Sequence, residues 1–490
     1  MKKIGITLLL VSLMILLSAC SELQKSLSHI KVENDVSSSA IEMKIEKRKI
    51  AKKVKQNKQN PFNILSYKPY SDYKINIVNY MTKTKDGSSD MLFKYVTGLP
   101  GGMIIVNKNT ELTLDVKNYS HDNTSVYWHG LAIPNSQQGS NSVLLPGEKK
   151  VFNFKQISAG TFWFHSQQKP VLEQLNKGLY APFIIKDDYD NKYTGDYVLM
   201  LDDWAVSKKG IVGNKYSTDD MEIIGNKETV NGKTGFDIYP ISLKKGEIVK
   251  LRFINVSSAQ SHTLKLEGHQ FRVTHLDGMK VLEPYMVSEI KLSPGERVDV
   301  EVKGTEEFGT FYITNERNLG LKVPVVYSGV GKDMESPFIS EGSKAFVGMD
   351  TKSVDFEYVL NSKMKKNYEY DPKRAKKSKY FNWTINGKSF PDTNATKLKT
   401  GQVYKMRFVN KDTQNVHEMS HTMHIQGAHF QIISINGVTP KTEIFKDTIE
   451  IKPNEYVDIA VKFENPGNWM MHSHVIDYED RGMITMFEVE

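Results

Sequence analysis

The chain has 490 residues, far more than one β-sandwich of about 100 residues can use, so several domains are expected. With 39% hydrophobic and 25% charged residues it has the composition of an ordinary globular protein. A net charge of +8 gives solubility and attraction to anionic surfaces, and no nucleic-acid motif accompanies it, so nucleic acid is not an expected partner.

The chain opens with Lys2 and Lys3, an apolar run over residues 4–17, and then Leu17-Ser18-Ala19-Cys20. A basic start, a short apolar core and small residues at the cut describe a secretory signal rather than a membrane span. The Leu-Ser-Ala-Cys end resembles a bacterial lipoprotein signal, which implies that Cys20 is lipidated and becomes the first mature residue. A diacylated cysteine is enough for stable anchoring to the outer face of a membrane. Cys20 is the only cysteine, so the mature protein has no thiol and no disulfide. Residues 21–66 are polar and Lys-rich and read as a flexible tether.

Beyond the tether the sequence repeats itself. Pro146-Gly147-Glu148 precedes Gly160-Thr161-Phe162-Trp163, Pro294-Gly295-Glu296 precedes Gly309-Thr310-Phe311-Tyr312, and Pro453-Asn454-Glu455 precedes Gly467-Asn468-Trp469-Met470. An earlier element also recurs: Val249-Lys250-Leu251-Arg252-Phe253-Ile254-Asn255 matches Tyr404-Lys405-Met406-Arg407-Phe408-Val409-Asn410, with Leu112-Thr113-Leu114-Asp115-Val116-Lys117-Asn118 a looser copy. Short period-two strands between turn signals, without helical periodicity, predict β-sandwiches near 67–190, 195–345 and 352–490. The Lys-rich stretch 362–379 reads as a solvated loop inside the third.

The repeat locates the histidines. Five residues after each repeat glycine stand His165, Thr314 and His472. Earlier in the repeat, domain 1 has Trp128-His129-Gly130 and domain 3 has His421-Thr422-Met423-His424, while domain 2 has only scattered His262, His269 and His275. A metal site between domains 1 and 3 follows. His-x-His on a strand places His472 and His474 on one face, able to address one centre. His29, His121, His417 and His429 fall outside the pattern and read as ordinary surface or core residues.

Four segments resemble the copper-binding motifs of multicopper oxidases: Tyr127-Trp128-His129-Gly130; Gly160-Thr161-Phe162-Trp163-Phe164-His165-Ser166-Gln167; His421-Thr422-Met423-His424-Ile425-Gln426-Gly427; and His472-Ser473-His474 with Arg481-Gly482-Met483. Gly178-Leu179-Tyr180, Asp202-Asp203-Trp204 and Lys446-Asp447-Thr448 fit as well. The resemblance runs from about residue 90 to the end. It implies an all-β chain of three cupredoxin-like Greek-key β-sandwich domains, and a role in copper tolerance, which bacterial members commonly serve.

The departures from the family pattern carry as much information. Tyr127, Gln167 and Gln426 stand where the family has histidine, Thr422 where it has proline, and Ser473 and Tyr478 where it has cysteine and histidine. Gln138 replaces a carboxylate found in many bacterial members, whereas Glu479 remains. Of the blue-copper ligands only His421 and Met483 survive, and a serine hydroxyl cannot supply the soft thiolate that defines such a site. Of the type 2 pair only His424 remains. One type 3 copper keeps only His472; the other keeps its whole trio, His129, His165 and His474. Three neutral imidazoles plus water suit one copper or zinc. An emptied relic held by hydrogen bonds is the competing account of the trio.

Three functions stand at this stage. The first is a copper-handling lipoprotein with at most a mononuclear three-histidine site, in which His424, His421 or Met483 act as transient ligands. The second is a metal-free assembly factor of the cell envelope with a protein partner. The third is an oxidase that reduces dioxygen, as the family alone would suggest. Hydrolysis at the trio with Glu479 as base is a weaker enzymatic reading.

Overall fold

The computed structural model describes residues 72–83, 89–95, 101–155, 158–204, 206–207, 210–211, 225–317, 320–340, 345–346, 353–365, 381–412 and 419–490. Cys20, the signal, the tether, His29, His417 and residues 366–379 of the Lys-rich stretch lie outside them. Ser362, placed in that loop by the sequence, instead belongs to the strand Phe356–Met364. Among the described residues no helix is long and apolar enough to cross a membrane.

The described chain is all-β in class, built as three two-layer sandwiches. The first pairs a four-stranded sheet carrying Asp72–Lys83 and Glu111–Asn118 with another carrying Tyr127–His129 and Gly160–His165. The second and third each pair a six-stranded sheet with a five-stranded one. The strand pairing repeats in all three. Asp72–Lys83 runs parallel to Glu111–Asn118, Gly195–Trp204 to Ile248–Asn255, and Phe356–Met364 to Val403–Asn410. Each sandwich has its own apolar core between its layers.

Physical reasons for the sequence repeats are visible in the backbone. Asn118, Asn255 and Asn410 each end a central strand and brace the same turn. Their amide nitrogens donate to Leu144 O at 2.9 Å, Leu292 O at 3.0 Å and Ile451 O at 3.0 Å. Their amide oxygens accept from the backbone N–H two residues on, at Ser120, Ser257 and Asp412. The Pro-Gly-Glu motifs form tight turns whose middle residue has positive φ, +85° at Gly147 and +86° at Gly295. Domain 3 uses Asn454 there at +62°, the residue that best tolerates this region after glycine. Each turn docks on its asparagine, since the N–H of Asn118, Asn255 and Asn410 donates to the carbonyl of Glu148, Glu296 and Glu455 at 2.9–3.0 Å.

A further apolar cluster joins domain 1 to its neighbours, with Trp163, Tyr180 and Ile184 packed among Val198, Met200, Ile254 and Ile476. Domain 3 joins this cluster through Ile476, in the short helix Ile476–Asp480 that follows His474.

Candidate metal centre

Two strand pairs build the centre. In domain 1, Tyr127 lies opposite His165 and His129 opposite Trp163. Alternation sends Trp128 and Phe164 into the domain core and turns Tyr127, His129, Trp163 and His165 toward domain 3. In domain 3, His424 lies opposite His472, while Met423 and Met471 enter the core. His474 follows on the same face as His472, its N–H donating to Thr422 O at 2.6 Å.

These strands bring His129, His165 and His474 together, with one ring nitrogen of each within 4.8 Å of the others. All three side chains are fully buried. His129 Nδ1 and His165 Nε2 are 3.4 Å apart. A tetrahedral metal with bonds of 2.0–2.1 Å needs its ligand nitrogens about 3.3 Å apart. The two outward nitrogens fix the tautomers. His165 Nδ1 lies 2.9 Å from Ser166 O and must carry the proton to donate to it. His129 Nε2 lies 3.4 Å from the Asp447 carboxylate, which likewise favours the proton there. With the proton on His129 Nε2, its Nδ1 and His165 Nε2 present two lone pairs to each other across 3.4 Å, which a cation between them would relieve; with the proton on Nδ1 the two rings share a hydrogen bond. Neither ring nitrogen of His474 has a hydrogen-bond partner among the described residues. Leaving one such buried polar atom unsatisfied costs about 1–3 kcal/mol. The donor set therefore fits one copper or zinc ion and is poorly explained by hydrogen bonding alone.

Electrostatics favour neutral ligands. Burial pushes His165 down to about 3 and holds His129 and His474 well below the usual histidine range. Burial alone would raise Asp447, but the Arg297 guanidinium, bonded at 2.8 and 2.6 Å, outweighs it and keeps the carboxyl ionised. Arg297 belongs to domain 2. It also donates to Thr161 O of domain 1 at 3.3 Å and to Gly295 O and Asp277 O at 3.1 and 2.9 Å. Asp277 in turn accepts from Asp447 N, Thr448 N and Lys446 Nζ, each at 3.2 Å. All three domains meet at this buried pair. A Cβ at Gly130 would collide with Arg297, which explains the glycine after His129.

The remaining predicted ligands are close but engaged. His424 stacks on His129 with centroids 4.0 Å apart. Its Nδ1 lies 2.9 Å from Asp447 O, and its Nε2 lies 2.7 Å from the Tyr127 hydroxyl. Burial holds Tyr127 well above the usual phenol range, so it remains a donor. His472 and His474, expected to serve one centre, have ring centroids 6.0 Å apart, and only His474 joins the trio. His472 Nδ1 faces Ser473 O at 3.0 Å and Glu479 at 3.1 Å. Gln167 donates to Glu479 Oε1, while Oε2 lies beside His472 without a hydrogen bond among the described residues, so this carboxylate faces Gln167 and His472 rather than the trio. Gln138 braces its own loop, donating to Leu131 O at 3.1 Å.

The blue-copper position does not fit copper. The Tyr478 ring stacks on Trp383 at 3.7 Å and meets His421 edge-on at 5.6 Å, filling the cradle. Ser473 Oγ accepts from Val475 N at 3.2 Å. Neither ring nitrogen of His421 has a hydrogen-bond partner among the described residues, Nε2 facing Asp412 at 3.4 Å, and Met483 packs in the domain 3 core, so a missing partner alone does not mark a metal ligand. His421 and Met483 therefore lie apart from the trio.

Sequence reasoning missed Asp447 and Arg297 as members of the centre. Arg297 follows the Pro-Gly-Glu turn at a position occupied by Lys149 in domain 1 and Tyr456 in domain 3, and that contrast was the available signal. His429, read as ordinary, lies 3.1 Å from Asp277 O and 3.6 Å from Asp447, at the edge of the junction.

Three stacked cupredoxin-like sandwiches with a histidine cluster between the first and third define a class of copper protein. Family models described as multicopper oxidase match residues 77–190, 195–326 and 361–490, and the chain belongs to the multicopper oxidase family. It is 26% identical to the multicopper oxidase mco of Staphylococcus aureus, covering 86% of this chain and 89% of that one. It is 22% identical to the copper resistance protein A homolog of Pseudomonas syringae pv. tomato, over 80% of this chain and 88% of that one. The fold is similar to the crystal structure of a multi-copper oxidase from Pediococcus acidilactici, with a TM-score of 0.71 at 24% identity, covering 86% of this chain and 87% of that one.

Proposed function

We propose that this protein is a copper-binding member of its family that holds a single metal ion on His129, His165 and His474 and serves copper homeostasis or tolerance outside the cytoplasmic membrane. The observation that carries the reading is the grouping of three fully buried imidazoles with one ring nitrogen of each within 4.8 Å of the others, His474 having no hydrogen bond among the described residues. Copper is favoured over zinc for a three-imidazole site of this kind by the usual order of divalent affinities. The relative named for copper resistance supports the physiological direction. The signal ending in Cys20 supports a lipid-anchored, extracytoplasmic protein.

Turnover as an oxidase is not part of this reading. When bound, the ion would supply Lewis acidity and one-electron redox chemistry. The chain's own residues do the rest: they exclude water, keep the imidazoles neutral and orient their lone pairs. Nothing in the donor set replaces the thiolate at Ser473, and Tyr478 fills the space of a second blue-copper imidazole.

The test is metal analysis of the full chain extracted in detergent, loaded with Cu(II) or Zn(II) separately and dialysed. About one metal per chain is expected, lost when His165→Ala and His474→Ala are combined, with no intense blue thiolate absorption. Such an absorption would refute the reading. Retention of neither metal would do so too, and would direct attention to a metal-free role with a protein partner in the cell envelope.

A further inference from the structure

Five imidazoles, not three, share this pocket. His129, His165, His424, His472 and His474 are linked by ring separations of 4.0–6.0 Å and are all fully buried. His424 also groups with His129 and Asp447, their ligand atoms within 4.8 Å of one another, but both Asp447 oxygens already accept from Arg297, so that side is closed to an ion. On the inner side, the two that do not join the trio share one feature. Each presents its inner nitrogen to a hydrogen-bond donor from a neighbouring strand or turn.

His424 commits its Nδ1 proton to Asp447 O, which leaves Nε2 as a lone pair, and the Tyr127 hydroxyl sits on that lone pair at 2.7 Å. His472 commits Nδ1 toward Ser473 O, which leaves Nε2 as a lone pair facing the Gln426 amide nitrogen at 3.4 Å. The Gln426 amide is oriented by Ser140, whose hydroxyl donates to its oxygen at 3.4 Å, so the NH₂ end is the one turned to His472. Gln167, the other amide on this side, is turned away to Glu479. A lone pair that accepts a buried hydrogen bond is not available to a metal, because coordination would strand the donor without a partner.

We infer that Tyr127 and Gln426 determine the metal count of the pocket: by capping His424 and His472 they hold it to one ion at the trio. The inference rests on the trio being a metal site. The two caps act independently, one from the strand Tyr127–His129 in domain 1 and one after the strand His421–Ile425 in domain 3. Each is a specificity-determining group that selects against a second ion rather than a ligand. Replacing a capping donor with imidazole turns a donor into a second lone pair beside the one it covered. At Tyr127 this would pair a new imidazole with His424. At Gln426 it would pair a new imidazole with His472.

The experiment uses the full chain in detergent, loaded with Cu(II), with copper per chain and the electron paramagnetic resonance spin count read together. The wild type is expected to hold one copper, fully visible by resonance. Tyr127→His and, separately, Gln426→His are each expected to hold two. In the Gln426→His variant the added ion should couple to the first and reduce the spin count below the copper count. One copper in the wild type and still one in both variants would overturn the capping role and leave the trio intact. Loss of the first copper from both variants would also overturn it, since the capping residues would then be building the site rather than limiting it. Zero copper in the wild type would instead remove the reading beneath.

Discussion

Asp447→Asn separates the two duties of the buried carboxylate. Asp447 receives both Arg297 nitrogens, at 2.8 and 2.6 Å, and lies 3.4 Å from both His129 Nε2 and His424 Nδ1. Asparagine preserves the shape but presents one NH₂ to donors and removes the charge. Breaking one partner of a buried pair costs about 3–5 kcal/mol. Asp277, whose carboxylate lies 3.7 Å from Arg297, retains part of the compensation, so the lower end is expected, about 3 kcal/mol. The second effect falls on the metal. Without the carboxylate the His129 tautomer that presents Nδ1 to the trio is no longer favoured, and loss of such an outer partner weakens binding by about 10–100-fold. Urea unfolding of metal-free protein gives the first number, and chelator competition for copper gives the second. A variant that loses about 3 kcal/mol of stability but binds copper within twofold of the wild type would refute the tautomer argument and reduce Asp447 to a rivet between domains.

Three further outcomes are expected. His165 sits at about 3 in the fold and at its ordinary value when unfolded, so the unfolded chain takes up protons first. Stability should be full above about pH 6.5 and fall below it by about 1.4 kcal/mol per unit for this residue, with His129, His424 and His474 acting in the same direction; urea midpoints unchanged between pH 7 and pH 5 would contradict this. Asn410→Ala should destabilise the protein by about 1–3 kcal/mol, because it strands two buried carbonyls and one N–H, as a shift in the urea midpoint will report. Ser473→Cys alone should produce no intense blue absorption on copper loading, because Tyr478 remains stacked on Trp383 in the cradle; a strong band would show that the cradle can still open.

The architecture was legible because the same local physics is written three times. A strand ending in asparagine and a turn with a positive-φ centre must recur wherever this sandwich is built, so Asn118, Asn255 and Asn410 betray the repeat. The trio was legible for a related reason, since His129, His165 and His474 occupy strand positions whose alternation fixes their direction. Arg297, Asp447 and the capping contacts were not. Tyr127 reaches a histidine almost three hundred residues away in the sequence, and its strand pattern is the same whether its hydroxyl finds His424 or water. That the chain carries a single cysteine could be counted from composition, but the stacking of Tyr478 on Trp383 beside His421 is a matter of packing. His472 shows the converse error: strand alternation gave its face correctly and said nothing of which neighbour would occupy its nitrogen.

The depth of the trio has a kinetic meaning. None of the three rings reaches solvent, Trp163 stacks against His165 at 4.3 Å, and the backbone of Gly295 presses on His474 so closely that no Cβ would fit. If the trio holds an ion as proposed, its exchange needs a local opening of this buried junction, which the Arg297–Asp447 pair resists. The proposed site would then give up metal slowly, as a store does.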